Sequence, residues 1–527
     1  MRFLGIRNHH DGGIALIEDQ KLVFSYEAEK DSKPRFNTCK DYSDLFRLLF
    51  DCPAVDVLSY VSLNEHTSHD GYLYKGICKS FTKAEDFTVF NRKISTYEST
   101  HARAHIFSSW SMSPFPEGTP FYALIWEGML GNFYRVDENM VITATPNQNA
   151  EHGTVMWGPG WVYGSLFFLA TRDKEQLWDI SLAGKVMALA AYGRKNNKKP
   201  DAVTLKALDK MFSNEYPFKC MELEPQDPYF DDFNFLREGV QSPVFKDFAH
   251  LVQTRIYDTF FNYAKKNLTE KLPLVIGGGC GLNCDWNSDW KSSGLFTDIF
   301  VPPCTNDSGL AIGLAAEAQY FHTGKSKITW SPYAGQPFVH EDVDLSGYRE
   351  TALDYEFLAD FLASDNRVVA WVQGACEIGP RALCHRSLIG APFHKAMQER
   401  LNLIKKREGY RPIAPVCLEE NVSDYFEWKG ESPYMLHFQK VKNPDQLQAV
   451  THVDDTARVQ TVRKDQNERM YELLVAFREK TGTAVLCNTS LNFLSTGFIN
   501  RTSDVVKYAR QVGLDGFVIE NKFYIKE

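Results

Sequence analysis

The sequence predicts an α/β fold, and three observations carry that prediction. Residues 122–126 are an apolar run that ends at Glu127 and Gly128, and residues 272–276 are another that leads into three glycines. Between these runs, apolar residues recur at helical spacing from Phe248 to Ala264. Strands that end in glycine-rich turns and alternate with amphipathic helices are typical of α/β domains.

The other elements follow in order along the chain. Residues 2–6 and 12–17 are predicted as two strands around a tight polar turn, and residues 22–25 as a further strand. A strand at 299–301 ends at two prolines, and Asp307 lies on the loop that then opens a glycine- and alanine-rich helix. Gly, Ser, Pro and charged residues dominate 323–348, which predicts a division into domains 1–340 and 341–527. The second domain contains predicted strands at 368–372 and 484–487.

Composition limits the classes of function. The net charge of −9 over 527 residues argues against a dedicated nucleic-acid binder, whose surface would be basic. No run of about 18 apolar residues indicates a membrane span, and the first residues are too polar for a signal peptide. The 11 cysteines include no CxxC pair, which favours buried thiols in a reducing compartment over a zinc site. We therefore predict a cytoplasmic protein.

A pair of histidines marks a candidate metal site. His101 and His105 are four residues apart, so a helix would present both imidazoles on one face. Asp307 is the candidate third ligand, and two imidazoles with one carboxylate suit iron, manganese or zinc. The motif alone is weak, and a capping or solvent-facing role for these residues stays open.

Glycine turns mark a candidate nucleotide site. Three turns, each after a predicted strand, place glycines where backbone N–H groups can approach phosphates. Neither the P-loop nor the dinucleotide GxGxxG motif is present. We predict a nucleotide clamped between two halves of the first domain by Asp11, Gly12, Glu127, Gly128, Gly277, Gly278, Gly279 and Asn283.

A third set of basic and polar residues lies in the second domain. Arginine forks combined with amide and hydroxyl groups suit a small phosphate dianion. A solvated helix face is the alternative for the charged run 405–408, but Arg381 follows a Gly-Pro turn that fixes its backbone. The candidate anion ligands are Arg381, Lys405, Arg411, Arg458, Asn488 and Ser490.

These blocks together resemble the O-carbamoyltransferase family of nodulation-factor and antibiotic biosynthesis, over nearly the whole chain. The family block Gly-x-x-Glu-x-Gly-Pro-Arg-Ala-Leu-Gly-x-Arg-Ser matches 374–387, with Cys384 in place of the last glycine. Further family blocks match 401–415, 452–460, 488–492 and 184–193, with Asp455 in place of a glycine. Glu127 stands where the family usually has aspartate, and the family block at 27–35 survives only in part.

The resemblance implies a fold and a two-stage chemistry. The first domain would be a duplicated actin/hexokinase-like ATPase domain that binds ATP, Mg²⁺ and a divalent metal, and the second a YrdC-like domain that binds carbamoyl phosphate. Arg381, Lys405 and Arg411 would support cleavage of carbamoyl phosphate to carbamate, which would then form carbamoyl adenylate with ATP. His10 would assist transfer to a hydroxyl-bearing acceptor, although His9 is equally close in sequence. The metal would be held by His101, His105 and Asp307, with iron favoured over manganese and zinc, and Lys185 would contact the nucleotide.

Two rival functions keep the fold. One is carbamoylation of a macromolecule such as tRNA, against which the net charge weighs. The other is a non-catalytic nucleotide-binding regulator, which would have no need of the basic set in the second domain. We expect no nucleic-acid or membrane partner, and a homodimer is compatible with the sequence.

Overall fold

The computed structural model describes residues 1–39, 55–61, 82–84, 86–89, 92–145 and 154–527. The strands of its first sheet are β1 (Arg2–Arg7), β2 (Gly13–Glu18), β3 (Lys21–Glu27), β4 (Val57–Val61), β5 (Thr82–Lys83), β6 (Phe87–Val89) and β7 (Arg92–Ser99). Their order in the sheet is β3-β2-β1-β4-β7-β5, with β6 paired to β7. Strands β1 to β3 form an antiparallel meander, and β4 and β7 extend the sheet parallel to β1.

The second sheet repeats the strand connectivity of the first. Its strands are β8 (Phe121–Trp126), β9 (Leu130–Val136), β10 (Ile142–Ala144), β11 (Met156–Trp157), β12 (Leu274–Gly277) and β13 (Ile299–Phe300). Their order is β10-β9-β8-β12-β13, again an antiparallel meander followed by two parallel strands, and β11 pairs with β9. Two sheets with one connectivity indicate a duplicated domain, as predicted.

Two helices lie between these sheets, α1 (His101–Met112) and α9 (Leu310–Thr323). They approach unusually closely because α9 has glycine at position 313, where a Cβ would lie 1.9 Å from the carbonyl oxygen of Ala104. The remaining helices of this part pack mostly around the second sheet. They are α2 (Pro159–Gly164), α3 (Leu166–Thr171), α4 (Ala183–Asn196), α5 (Ala202–Met211), α6 (Tyr216–Glu222), α7 (Pro243–Asn267) and α8 (Cys284–Ser292).

The second part of the chain forms a third, mixed sheet and a small two-stranded pair. The strands are β14 (Tyr348–Ala352), β15 (Val368–Val372), β16 (Arg386–Gly390), β17 (Ala414–Leu418), β18 (Gln439–Lys440), β19 (Thr456–Ala457), β20 (Gln460–Val462), β21 (Val485–Ser490), β22 (Gly516–Ile519) and β23 (Lys522–Lys526). The order of the third sheet is β14-β23-β22-β15-β16-β21-β17-β20, and β18 pairs with β19. Apolar cores cover both faces of the third sheet. Its helices are α10 (Tyr355–Ala363), α11 (Lys395–Ile404), α12 (Val422–Tyr425), α13 (Glu468–Thr481) and α14 (Thr502–Val512).

The predicted α/β class is confirmed, with a duplicated first part and a separate sheet in the second. Each strand named from the sequence is present, with ends shifted by at most three residues. The division at residues 340 and 341 stays a prediction, although β14 begins shortly after it at Tyr348. Among the described residues, no helix is both long and apolar enough to cross a membrane.

Candidate functional site

Four side chains meet where the two repeats of the first domain face each other. His101 and His105 lie on the first turns of α1, which Thr100 caps by accepting a hydrogen bond from the Arg103 N–H. Glu127 follows β8, and Asp307 opens the 3₁₀ turn before α9. One ligand atom from each of these four residues lies within 4.8 Å of the others. The predicted trio is therefore brought together, and Glu127 joins it.

The separations within this group, the His-carboxylate cluster, suit a single ion. Glu127 Oε2 lies 2.8 Å from His101 Nε2 and 3.3 Å from His105 Nε2. Asp307 Oδ1 lies 3.4 Å and 3.3 Å from the same two nitrogens, which are 3.2 Å apart. Ligand atoms held about 2.1 Å from one ion must be about 3.0–3.4 Å apart at octahedral or tetrahedral angles. The donor set and its spacing therefore fit a divalent metal.

The electrostatics of the cluster favour a cation at its centre. Burial lowers the pKa of His101, but the charges of Glu127 and Asp307 outweigh burial and raise it to about 10. Burial raises the pKa of Glu127, and the charge of His101 overcomes this and lowers it to about 2. The metal-free cluster thus holds a protonated imidazole between two carboxylates, a position that a divalent ion would take.

His10 lies at the open side of the cluster. Its Nε2 is 3.6 Å from Asp307 Oδ2, its Nδ1 is 3.4 Å from Asp11 Oδ2, and its side chain is 56% exposed. The hydrogen bond with Asp11 is the largest influence and raises the pKa of His10. Arg7, which is buried, donates to Asp307 Oδ2 at 2.9 Å and holds that carboxylate from behind. The choice of His10 rather than His9 for the transfer step stays a prediction.

The predicted nucleotide residues surround the cluster. Gly277 packs against α1, where a Cβ would lie 3.1 Å from the Cβ of His105. Gly278 has φ +97°, and a Cβ there would lie 2.3 Å from the Trp126 carbonyl oxygen, whereas Gly279 faces open space. Gly12 is packed on the backbone of Cys39. The three turns therefore bring backbone close to the cluster, and their binding of a nucleotide stays a prediction.

Two other predicted nucleotide residues already have partners. Lys185, in the first turn of α4, forms an ion pair with Glu408 at 2.8 Å and so reaches the second domain. Asn283 caps α8, because its Oδ1 accepts hydrogen bonds from the N–H groups of Asp285 and Trp286. The Asn283 amide also donates to Gln253. These contacts give Asn283 a structural role that the sequence pattern did not indicate.

A cationic cluster lies between the first domain and the third sheet. It comprises Arg35, Arg381, Lys405, Arg407, Arg411 and Arg458. Burial first, and then repulsion from neighbouring cations of the cluster, lowers the pKa of Arg381, Lys405, Arg407 and Arg411. Burial, assisted by these neighbours, lowers the pKa of Arg381 to about 9 and of Arg407 to about 9. Burial also lowers the pKa of Lys405 well below its ordinary value.

Anionic compensation in this cluster is incomplete. Glu408 lies 3.9 Å from Arg411 but is shared with Lys185, and Glu29 pairs with Arg35 at 2.8 Å. The Nε atoms of Arg381 and Arg458 are buried and have no hydrogen-bond partner among the described residues. A buried cation without a matching carboxylate is stabilised when an anion pairs with it. The cationic cluster is therefore suited to a small multivalent anion.

The two predicted polar ligands differ in what they can still do. Asn488 donates from Nδ2 to Ala382 and Gln460, so its Oδ1, which is buried without a partner among the described residues, can only accept. The Ser490 hydroxyl donates to Asn492 Oδ1 at 2.7 Å, and Lys405 Nζ donates to the Ser490 carbonyl oxygen. An N–H group of a bound molecule could donate a hydrogen bond to this Asn488 Oδ1 atom.

Sequence reasoning missed three residues of these sites. The sequence predicts Glu127 in a phosphate turn, whereas its carboxylate lies with the histidines. The predicted anion set does not include Arg35 or Arg407. Arg407 belongs to the same charged run as Lys405, which is a signal for its inclusion. Arg35 lies in the partly matching family block at 27–35, but nothing near it in sequence places it beside the second domain.

Two of the departures from the family pattern, Cys384 and Asp455, have a backbone explanation. Cys384 has φ +74° and Asp455 has φ +61°, the left-handed region that glycine adopts most easily. Cys384 is buried, whereas Asp455 is exposed. Both positions thus keep the conformation that glycine would favour.

An aromatic wall adjoins the His-carboxylate cluster. A Cβ on Gly128 would lie 3.7 Å from Trp161 Cδ1, and Trp161 meets Trp178 edge to face at 5.0 Å between ring centroids. Trp178 is 64% exposed and Ile180 is 53% exposed. Exposed tryptophan beside a polar site suits the apolar face of a small molecule.

Comparison with known families gives two matches that cover most of the chain. Residues 66–316 match the family model described as carbamoyltransferase N-terminus. Residues 359–526 match the model described as carbamoyltransferase C-terminus. The His-carboxylate cluster lies within the first match and most of the cationic cluster within the second.

Curated relatives match over almost their full length. A 3'-hydroxymethylcephem-O-carbamoyltransferase of Amycolatopsis lactamdurans is 41% identical over 99% of each chain, and one of Streptomyces clavuligerus is 40% identical over 99% of each. Nodulation protein U of Sinorhizobium fredii is 30% identical over 98% of this chain and 99% of its own. Among solved structures, the activator of the 2-hydroxyisocaproyl-CoA dehydratase from Clostridium difficile is 12% identical with a TM-score of 0.32, over 62% of this chain and all of the activator.

Proposed function

This chain belongs to the carbamoyltransferase family, and we propose that it moves the carbamoyl group of carbamoyl phosphate onto a hydroxyl of a small natural product, with ATP as co-substrate. One observation carries the proposal: a single chain holds both a cationic cluster that carboxylates only partly neutralise and a His-carboxylate cluster. The two suit different substrates, a small phosphate ester and a metal-bound nucleotide. The family and its carbamoyltransferase activity are the premise, and the residue roles below are proposed.

The first stage takes place at the cationic cluster. Arg381, Lys405 and Arg411 neutralise the phosphate of carbamoyl phosphate, and Arg458 adds a further donor. Asn488 Oδ1 accepts a hydrogen bond from the carbamoyl NH₂ group. Water attacks the carbonyl carbon, the bond from that carbon to the phosphate oxygen breaks, and carbamate and inorganic phosphate form while the protons of the water pass to solvent. The guanidinium groups favour this cleavage because charge builds on the departing phosphate oxygens.

The second stage takes place beside the His-carboxylate cluster. A divalent ion held by His101, His105, Glu127 and Asp307 would neutralise charge on the nucleotide phosphates. The carbamate oxygen attacks the α-phosphate of ATP, so that pyrophosphate leaves and carbamoyl adenylate forms. The acceptor hydroxyl then displaces AMP, and His10 takes the proton of that hydroxyl. Its exposed ring, oriented by Asp11, is the available base at this edge.

The acceptor meets the aromatic wall of Trp161 and Trp178. Relatives at 40–41% identity are named for a hydroxymethylcephem, a compact ring system that carries a primary hydroxyl. An acceptor of that kind would place its ring against Trp178 and its hydroxyl toward His10. Truncation of Trp178 to alanine should therefore raise the KM for the acceptor without changing the KM for carbamoyl phosphate.

The test uses the purified protein with carbamoyl phosphate and ATP. Phosphate and pyrophosphate are measured separately, first alone and then with a 3'-hydroxymethylcephem and with an aminosugar alcohol. The expected result is pyrophosphate release that depends on carbamoyl phosphate, and a carbamoylated cephem by mass spectrometry. Binding of ATP without binding of carbamoyl phosphate in calorimetry would refute the proposal and favour the regulator. Carbamoylation of tRNA alone would support the macromolecular acceptor instead.

A further inference from the structure

A short segment of the first domain crosses onto the second domain. Residues 27–35, here called the strap, follow β3 and run along residues 495–498. Ser32 N–H donates to the Phe498 carbonyl oxygen and Gly497 N–H donates to the Lys33 carbonyl oxygen. Asp31 forms an ion pair with Arg501. The strap is thus fixed to the second domain by backbone and charge together.

Two buried side chains of the strap hold the backbone of one residue of the second domain, Gly379. Glu27 Oε1 accepts the Gly379 N–H at 2.5 Å, and Lys30 Nζ donates to the Gly379 carbonyl oxygen at 2.6 Å. Glu27 and Lys30 are themselves an ion pair at 3.2 Å, with both side chains almost fully buried. Lys30 also lies 4.0 Å above the ring of Phe498. Both backbone polar groups of Gly379, its N–H and its carbonyl oxygen, are therefore held by a charged side chain.

Gly379 occupies a position where only glycine fits. Its φ is +83°, and a Cβ would lie 2.3 Å from the Pro303 carbonyl oxygen. Pro303 begins the loop that leads to Asp307 of the His-carboxylate cluster. Two residues after Gly379, Arg381 donates to the Leu282 carbonyl oxygen at 3.2 Å and belongs to the cationic cluster. The turn at Gly379 therefore packs against the loop that leads to Asp307 and also carries Arg381 of the cationic cluster.

We propose that Glu27 and Lys30 are positioning residues, which act through the backbone of Gly379 to hold Arg381 in the cationic cluster. The grip is needed because Arg381 is repelled by its neighbours. Glu377 pins the other side of the same loop, since its Oε1 accepts the N–H groups of Leu383 and Arg386. When the hydrogen bonds from Glu27 and Lys30 to Gly379 are lost, the turn can move and Arg381 can lose its contact with the bound carbamoyl phosphate. This inference rests on the proposed use of the cationic cluster for carbamoyl phosphate.

The test compares Lys30→Met and Lys30→Arg in the full-length protein. The Kd for carbamoyl phosphate is measured by calorimetry, and the KM values for carbamoyl phosphate and ATP by phosphate and pyrophosphate release. Loss of a buried charged hydrogen bond is expected to weaken carbamoyl phosphate binding between about tenfold and about a hundredfold. The KM for ATP should stay within about twofold, and arginine, which can still donate to Gly379, should restore most of the binding.

Lys327→Met is the matched control. Like Lys30, Lys327 donates hydrogen bonds to backbone carbonyl oxygens, in this case those of Trp110 and Ser113. Its Nζ lies 4.3 Å above the Trp110 ring, and all of these contacts are within the first domain. It should lose stability without any change in the Kd for carbamoyl phosphate. The proposal is overturned when Lys30→Met behaves like this control, or when it weakens ATP and carbamoyl phosphate equally.

A second variant covers a failure of Lys30→Met to fold. Glu27→Gln keeps the size of the side chain and an oxygen that can accept the Gly379 N–H, but it removes the charge. We expect an increase of at least about threefold in the Kd for carbamoyl phosphate, and no increase would overturn the proposal. A wild-type protein that neither binds nor cleaves carbamoyl phosphate would instead refute the proposed function itself.

Discussion

Replacement of Glu127 by glutamine tests the composition of the metal site most directly. The amide keeps the size of the side chain and removes its charge. Glu127 Oε2 lies 2.8 Å and 3.3 Å from the two imidazoles, and Asp307 is the other carboxylate of the cluster. The substitution therefore halves the negative charge that faces a divalent ion.

The expected loss of affinity is large. Loss of a group that only supports a metal ligand costs about 10–100-fold in affinity. Loss of a charged ligand should exceed that, so we expect at least a hundredfold weaker binding, or about 2.7 kcal/mol. Glu127→Asp keeps the charge but shortens the reach by one methylene, and should fall between glutamine and wild type.

Metal affinity is measured by competition with a chelator, with Mn²⁺, Fe²⁺ and Zn²⁺ titrated in turn. Glu270→Gln serves as the control, because Glu270 is an exposed acid paired with Arg135. Wild-type affinity in Glu127→Gln would refute the four-ligand site and return Glu127 to the phosphate turn. Loss of affinity in Glu270→Gln as well would show that the assay reports net charge.

Three further outcomes are expected. Arg381→Met should abolish phosphate release from carbamoyl phosphate and leave the ATP Kd unchanged in calorimetry, whereas loss of both would indicate misfolding. Burial lowers the pKa of His385 to about 4, so its neutral form stabilises the fold above pH 6.5. That contribution, up to about 3 kcal/mol, is lost as pH falls toward 4. Denaturant melts of His385→Gln should show a flatter pH dependence of the free energy of unfolding over this range, and an unchanged slope would contradict the assignment. Asp455→Gly should raise the free energy of unfolding by about 0.5–1 kcal/mol, because it relieves a left-handed residue that is exposed; a lower midpoint in urea would show that the Asp455 side chain makes a stabilising contact.

The fold could be predicted largely from sequence because local patterns determined it. The run at 368–372 is wholly apolar and became the buried strand β15 with the same ends. The His101–His105 spacing specified one helix face, and α1 begins at His101. Such features depend on neighbours within a few residues, which a single sequence displays. The repeat of the strand order in the two sheets could not be seen in this way, because the two halves share topology rather than residues.

The parts of the sites that escaped prediction depend on distant segments. Glu127 is 26 residues from His101 and reaches it because β8 and α1 pack against each other. Arg35 enters the cationic cluster only because the strap crosses to the second domain. Asn283 had the residue type and turn of a ligand, yet its oxygen caps a helix. Residue type predicts which chemistry is available, whereas tertiary packing decides which groups perform it.

The placement of Gly379 also bears on how the two stages are linked. Carbamate decomposes in water, so the proposed route is productive only when adenylate formation follows cleavage without release. A turn that packs on Pro303 of the Asp307 loop and carries Arg381 cannot shift without disturbing one site or the other. Charged residues of the strap hold the N–H and the carbonyl oxygen of Gly379, so the strap, this turn and the Pro303 loop are packed together.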